Sequence, residues 1–89
     1  MSEFRKVKVT ASHIRRGIRG NPFSCPIALS VRTKGRVCVD PARMVISFDD
    51  VEWIYDLPQS AERFTYRFDE GKPVEPFVFQ AQLLGKHLL

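Results

Sequence analysis

The residues best suited to chemistry lie at positions 13–34, HIRRGIRGNPFSCPIALSVRTK. Arg15, Arg16 and Arg19 precede a Gly-Asn-Pro loop, and a Cys-Pro pair then opens a helix. Guanidinium groups offer the bidentate geometry that phosphates favour, and a helix start adds unpaired N–H groups and a partial positive charge. Asn21 and Ser24 supply neutral hydrogen-bonding groups, and Arg32 adds a further cation at the end of the stretch. Phe23 can stack on a planar ring, and Trp53 extends that surface if its strand comes near. The chemistry implied is anion binding by Arg15, Arg16, Arg19, Asn21, Phe23, Ser24, Cys25, Arg32 and Trp53. The plainer reading is that Pro22, Phe23 and Pro26 fix a tight loop over the core and leave the arginines in water. Neither a P-loop nor a dinucleotide-binding glycine pattern occurs.

Other chemistries find less support. Cys25 at a helix start has the setting of an activated thiol, but it needs a base, and only His13 and His87 exist. Nothing in the spacing brings either to the thiol, so no catalytic residue is assigned and a small buried packing group is expected instead. His13, Cys25, Cys38 and His87 are too dispersed for the paired ligand spacing of structural zinc, so no metal or other cofactor is expected. Asp49-Asp50 sits where a hairpin turn wants it. Arg63, Tyr66 and Arg67 share a helix face, with Glu62, Asp69 and Glu70 nearby, as on a solvated surface.

The elements that must position these groups follow from periodicity. Residues 4–10 alternate, with Val7 and Val9 inward and Lys6 and Lys8 outward. Ser12 suits the cap of a short helical turn over 13–16, and Gly17 follows where a left-handed residue would end it. Pro26 suits a first helical turn, Ile27, Ala28 and Val31 form a stripe, and Gly35 closes a helix over about 25–34. Strands are predicted at 36–40, 43–48 and 51–55, the last two joined by a two-residue turn. Both faces of this hairpin carry apolar residues, so one is free to meet another element or subunit. Ala61, Phe64, Thr65 and Phe68 predict a helix over about 58–70, and alternation from Phe77 to Leu83 predicts a closing strand. Residues 85–89 are expected to fray or engage a partner. The fold class is α+β: a four- to five-stranded, mostly antiparallel sheet with two main helices and one short helical turn, in a single domain over 1–89.

Composition sets the context. The chain has 89 residues and a net charge of +4, unevenly spread. Residues 1–45 carry ten Lys and Arg against Glu3 and Asp40, a net of +8, while residues 46–89 carry four against eight acids, a net of −4. Such a split favours an anionic partner for the first half, or docking of one half on the other between subunits. No secretory leader or membrane-length apolar run is visible, and two cysteines cannot build a disulfide framework. A reducing cytoplasm is expected.

Two patches stand out as motifs. The first is HIRRGIRGNPFSCPIALSV, an Ile-x-x-Gly turn before a Cys-Pro-Ile-Ala-Leu helix start. The second is LPQSAERFTYRFDEGKPVEPFVFQAQL, with a Phe-Asp-x-Gly stop and a Pro-Phe-x-Phe strand. Together they span roughly half the chain and resemble a group of small uncharacterised proteins encoded by phages and prophages, a resemblance that carries no functional position over. The resemblance implies an accessory viral protein in the bacterial host cytoplasm, of a kind that often neutralises a host defence by binding. Two functions follow as expectations. One is a non-catalytic binder that sequesters a small phosphorylated ligand, such as a host immune signalling nucleotide, in a basic pocket shared within a homo-oligomer. The other is a nucleic-acid-binding module, or an inhibitor that covers a host defence protein.

Overall fold

A computed structural model describes residues 3–88 as an α+β fold. In chain order the elements are β1 (Phe4–Val9), α1 (Ala11–Arg16), α2 (Pro26–Ser30), β2 (Arg36–Asp40), β3 (Arg43–Phe48), β4 (Val51–Asp56), α3 (Gln59–Asp69) and β5 (Phe77–Leu88). The five strands form one sheet in the order β1-β5-β4-β3-β2, with every neighbouring pair antiparallel. Although β1 and β2 are the two edges, α2 touches both. The sheet is therefore curled, and α2 closes the gap between its edges.

The core lies on the helix-covered face. Val7 and Val9 of β1 pair with Phe79 and Phe77 of β5, and Met44 and Ile46 pair with Tyr55 and Trp53. Ile27 of α2 and Met44 are fully buried. Each such side chain contributes about 1.5–3 kcal/mol of hydrophobic stabilisation. From α3, Ala61, Phe64, Thr65 and Phe68 are buried as their spacing predicted, and Phe64 stacks on Phe77 at 4.7 Å between ring centroids. Its end is a Schellman motif: Gly71, at φ 77°, donates to Phe68 O, and Lys72 donates to Arg67 O. The β3–β4 turn has both central residues left-handed, Asp49 at φ 53° and Asp50 at φ 61°, which is the type I′ geometry of two-residue hairpins.

Four local expectations are corrected. The helix expected over 25–34 is only the five residues of α2. Ser30 turns its hydroxyl onto Ile27 O at 2.6 Å, and the β-branched Val31 leaves the helix in extended geometry. The first helical turn begins at Ala11 and is capped by Thr10 rather than Ser12. Gly17 is extended, not left-handed; its function is close approach, because a Cβ there would sit 2.6 Å from the Pro26 ring. Residues 85–88, expected to fray or engage a partner, are paired along β4 of the same chain out to Val51↔Leu88; Leu89 lies outside the described residues. The register shifts between Ile54 and Tyr55. That shift leaves Leu84 unpaired and sets Lys86 opposite Trp53 as its cross-strand partner.

Candidate functional site

The cations gather where β1 meets the chain leaving α2. A groove of about 360 Å³ there is lined by Arg5, Lys6, Val7, Lys8, Thr10, His13, Ser30, Val31 and Arg32. No acidic side chain lines it. Because β1 is an edge strand, side chains from both of its faces reach this rim: Arg5 and Val7 from the helix side, Lys6 and Lys8 from the other. The early end of α2 brings Arg32 across from β1. Arg5 Nη2 donates to Arg32 O at 2.7 Å and ties the two walls together.

His13 is held by a reciprocal cap. Its backbone N–H donates to Thr10 Oγ1, and its ring Nδ1 accepts the Thr10 N–H at 2.9 Å. An accepting Nδ1 places the ring proton on Nε2 in the neutral imidazole. Desolvation, followed by the charges of Arg16 and Arg32, lowers the His13 pKa from its ordinary value. The ring is thus a neutral donor near neutral pH, in positive surroundings.

Next to this groove lies a second, aromatic cleft of about 260 Å³, lined by Arg5, Thr33, Ile46, Phe48, Trp53 and Tyr55. Arg5 lines both spaces, and the consecutive residues Arg32 and Thr33 each line one of them. Trp53 is half-buried against the core, and Phe48 is 47% exposed. Trp53 therefore shares its cleft with Arg5, and not with Phe23 or the arginine loop, whose surface it was expected to extend.

The loop itself is spent on its own structure. Asn21 Oδ1 accepts the N–H groups of Phe23 and Ser24, and Ser24 O accepts from Ile18 N. Cys25 is buried, and its Sγ caps α2 by accepting the Ala28 N–H at 3.5 Å. Burial pushes its thiol pKa up, against the lowering effect of the Ala28 and Ile27 N–H groups. The helix start is thus already occupied. Phe23 has the Arg36 guanidinium 4.2 Å from its ring centroid. Gly20 N donates to Asp69 Oδ1, and the Arg19 guanidinium lies against Gly71, so this loop docks on the end of α3. Arg15 and Arg16 are exposed on α1, where Arg16 Nε donates to Ser12 Oγ. Asn21 and Cys25 line a different cleft, of about 360 Å³, walled in part by Asp40, Asp69, Pro41 and Cys38. Its carboxylates disfavour an anion there.

The chain matches no protein-family model, no curated protein and no solved structure. Of the nine expected ligand residues, Arg32 lines the basic groove and Trp53 lines the cleft beside it. The sequence places Lys6 and Lys8 on the outer face of the first strand and offers His13 only as a base for Cys25 or a metal ligand, so Arg5, Lys6, Lys8 and His13 are not among the expected ligand residues. The missed signal is Val-Arg-Thr-Lys at 31–34, whose β-branched alternation argues for extended chain rather than a last helical turn. Among the described residues, no group of three His, Cys, Asp or Glu side chains is assembled to hold a metal, and no helix is long and apolar enough to cross a membrane.

Proposed function

We propose that the protein binds a small phosphorylated ligand without transforming it, holding the phosphates in the β1 groove. The observation that carries this reading is the grouping of Arg5, Lys6, Lys8, His13 and Arg32 around one groove with no acid in its lining. Arginines there supply bidentate contacts, lysines supply charge, and neutral His13 supplies a donor. Sequestration rather than turnover is supported by how the nucleophile and base candidates are used. Cys25 is a buried cap, and His13 Nδ1 is committed to Thr10.

The resemblance to phage- and prophage-encoded proteins supports a host defence setting in the bacterial cytoplasm, with a signalling nucleotide as the ligand. The same reading makes the protein a homo-oligomer, its second copy docked at the far end of β5. Glu3 O accepts from Leu83 N; beyond that point, among the described residues, β5 has a strand partner only in β4. Leu84 and Leu88 are 50% and 69% exposed at that end. An open strand edge pairs antiparallel with its own copy about a two-fold axis.

Calorimetry with a panel of linear and cyclic nucleotides at low ionic strength tests the function. Saturable heat, lost when Lys8 and Arg32 are both changed to Glu and kept when Arg15 and Arg16 are, supports the groove. Flat traces across the panel refute it. Retention of long RNA or DNA in preference to nucleotides, weakening steeply with salt, would favour a nucleic-acid-binding module instead.

A further inference from the structure

We infer that the ligand's phosphates and a nucleobase occupy two adjoining spaces, the base in the aromatic cleft of Trp53, Phe48 and Tyr55, with Arg5 contacting both parts. This rests on the phosphate-binding reading above and adds what the rest of the ligand must be. Three observations carry it. The cleft alone, at about 260 Å³, is smaller than the roughly 300–1,000 Å³ of ordinary small-molecule sites. The groove alone is near the bottom of that range, so a ligand spanning both fits the pair better than either space. The linings also differ in what they offer: Phe48, Trp53, Tyr55 and Ile46 with Thr33 and Arg5 in one, and Arg5, Lys6, Lys8 and Arg32 with His13, Thr10, Ser30, Val7 and Val31, but no aromatic ring except the imidazole, in the other. A nucleotide is divided in the same way, a flat π-face at one end and anionic oxygens at the other.

The details of the cleft suit a base. Trp53 is anchored against the core yet partly open, which gives a stacking surface that does not have to be ordered on binding. Thr33 Oγ1 accepts the Gly35 N–H at 3.1 Å, which leaves its hydroxyl proton available for an acceptor on a base edge. Arg5 has five donors, and its bond to Arg32 O uses one of its terminal nitrogens. Among the described residues the remaining donors have no partner, and they can serve the phosphate nearest the sugar.

Trp53 is the only tryptophan in the chain, so its fluorescence reports this cleft alone. The experiment titrates the full chain with adenosine triphosphate and, separately, with inorganic triphosphate, following both calorimetric heat and tryptophan emission. Heat from both ligands, with saturable quenching by adenosine triphosphate only, is the expected result. Phe48→Ala, at a half-exposed position that leaves the core intact, should weaken adenosine triphosphate by roughly tenfold and leave inorganic triphosphate unchanged. Equal affinity for the two ligands, with no quenching by either, would overturn the base site while leaving the phosphate groove standing. Heat from neither ligand would overturn the phosphate reading itself, and the base site with it.

Discussion

Arg5 is the residue on which the two halves of the site depend, and changing it separates binding from stability. Among the described residues its guanidinium makes one bond, to Arg32 O at 2.7 Å, in an exposed setting. Exposed bonds of this kind contribute on the order of 1 kcal/mol or less, so Arg5→Ala should lower the melting temperature by no more than about 4–8 °C in a domain this small. The effect on a bound phosphate should be larger. A charge-assisted hydrogen bond in a groove contributes roughly 1.5–3 kcal/mol, which converts to about a 10- to 150-fold loss of affinity. Arg5→Lys keeps the charge and loses the planar fork, so it should fall between wild type and Arg5→Ala. Calorimetry with adenosine triphosphate gives the affinities and differential scanning calorimetry gives the melting temperatures. If folded Arg5→Ala binds within twofold of wild type, the groove does not hold the phosphate. If the variant is largely unfolded at room temperature, the bond to Arg32 is structural and the reasoning fails at its first step.

Three further outcomes follow. A pKa lowered in the folded state means that the His13 contribution to stability is complete above its ordinary value near 6.5 and is lost as the pH falls below it. Protonating Nδ1 also removes the acceptor for Thr10 N, so acid should fray α1 before the sheet, visible as early hydrogen exchange at residues 11–16; uniform loss of protection would contradict this. Gly17→Ala drives a methyl into the Pro26 ring, which cannot rotate away, and should cost about 1–3 kcal/mol in urea unfolding; a neutral result would show that α1 and α2 adjust freely. Asp50→Gly removes a left-handed non-glycine residue from the type I′ turn and should raise stability by up to about 1 kcal/mol, read as a higher urea midpoint; a lower midpoint would mean that Asp50 makes a compensating contact.

Much of the fold was legible because its signals are local. The alternation of β1, β2 and β5, the Asp-Asp turn and the apolar stripe of α3 each lie within a dozen residues, and α+β class follows from their order. The end of α2 was misjudged because Gly35 offered a stronger stop signal than Val31, although Ser30 and the β-branched residues after it had already ended the helix. That error of four residues decides the site. With Arg32 in a helical last turn, the cations appear to belong to the arginine loop; with Arg32 in extended chain, they belong to β1. Use of the Cys25 thiol as a cap could not be read from its type, since a cysteine at a helix start is compatible with both an open and a closed N-terminus. Docking of Gly20 on Asp69 joins residues 49 apart in the sequence, and no periodicity encodes it.

The central claim is that phosphates bind along β1 and not at the arginine loop, and backbone amide chemical shifts during a titration with adenosine triphosphate test it most directly. Shifts concentrated at residues 5–8, 13 and 30–33, with the amides of 18–24 unmoved, are the predicted result. Shifts confined to residues 15–24, or none at a saturating concentration, would contradict it.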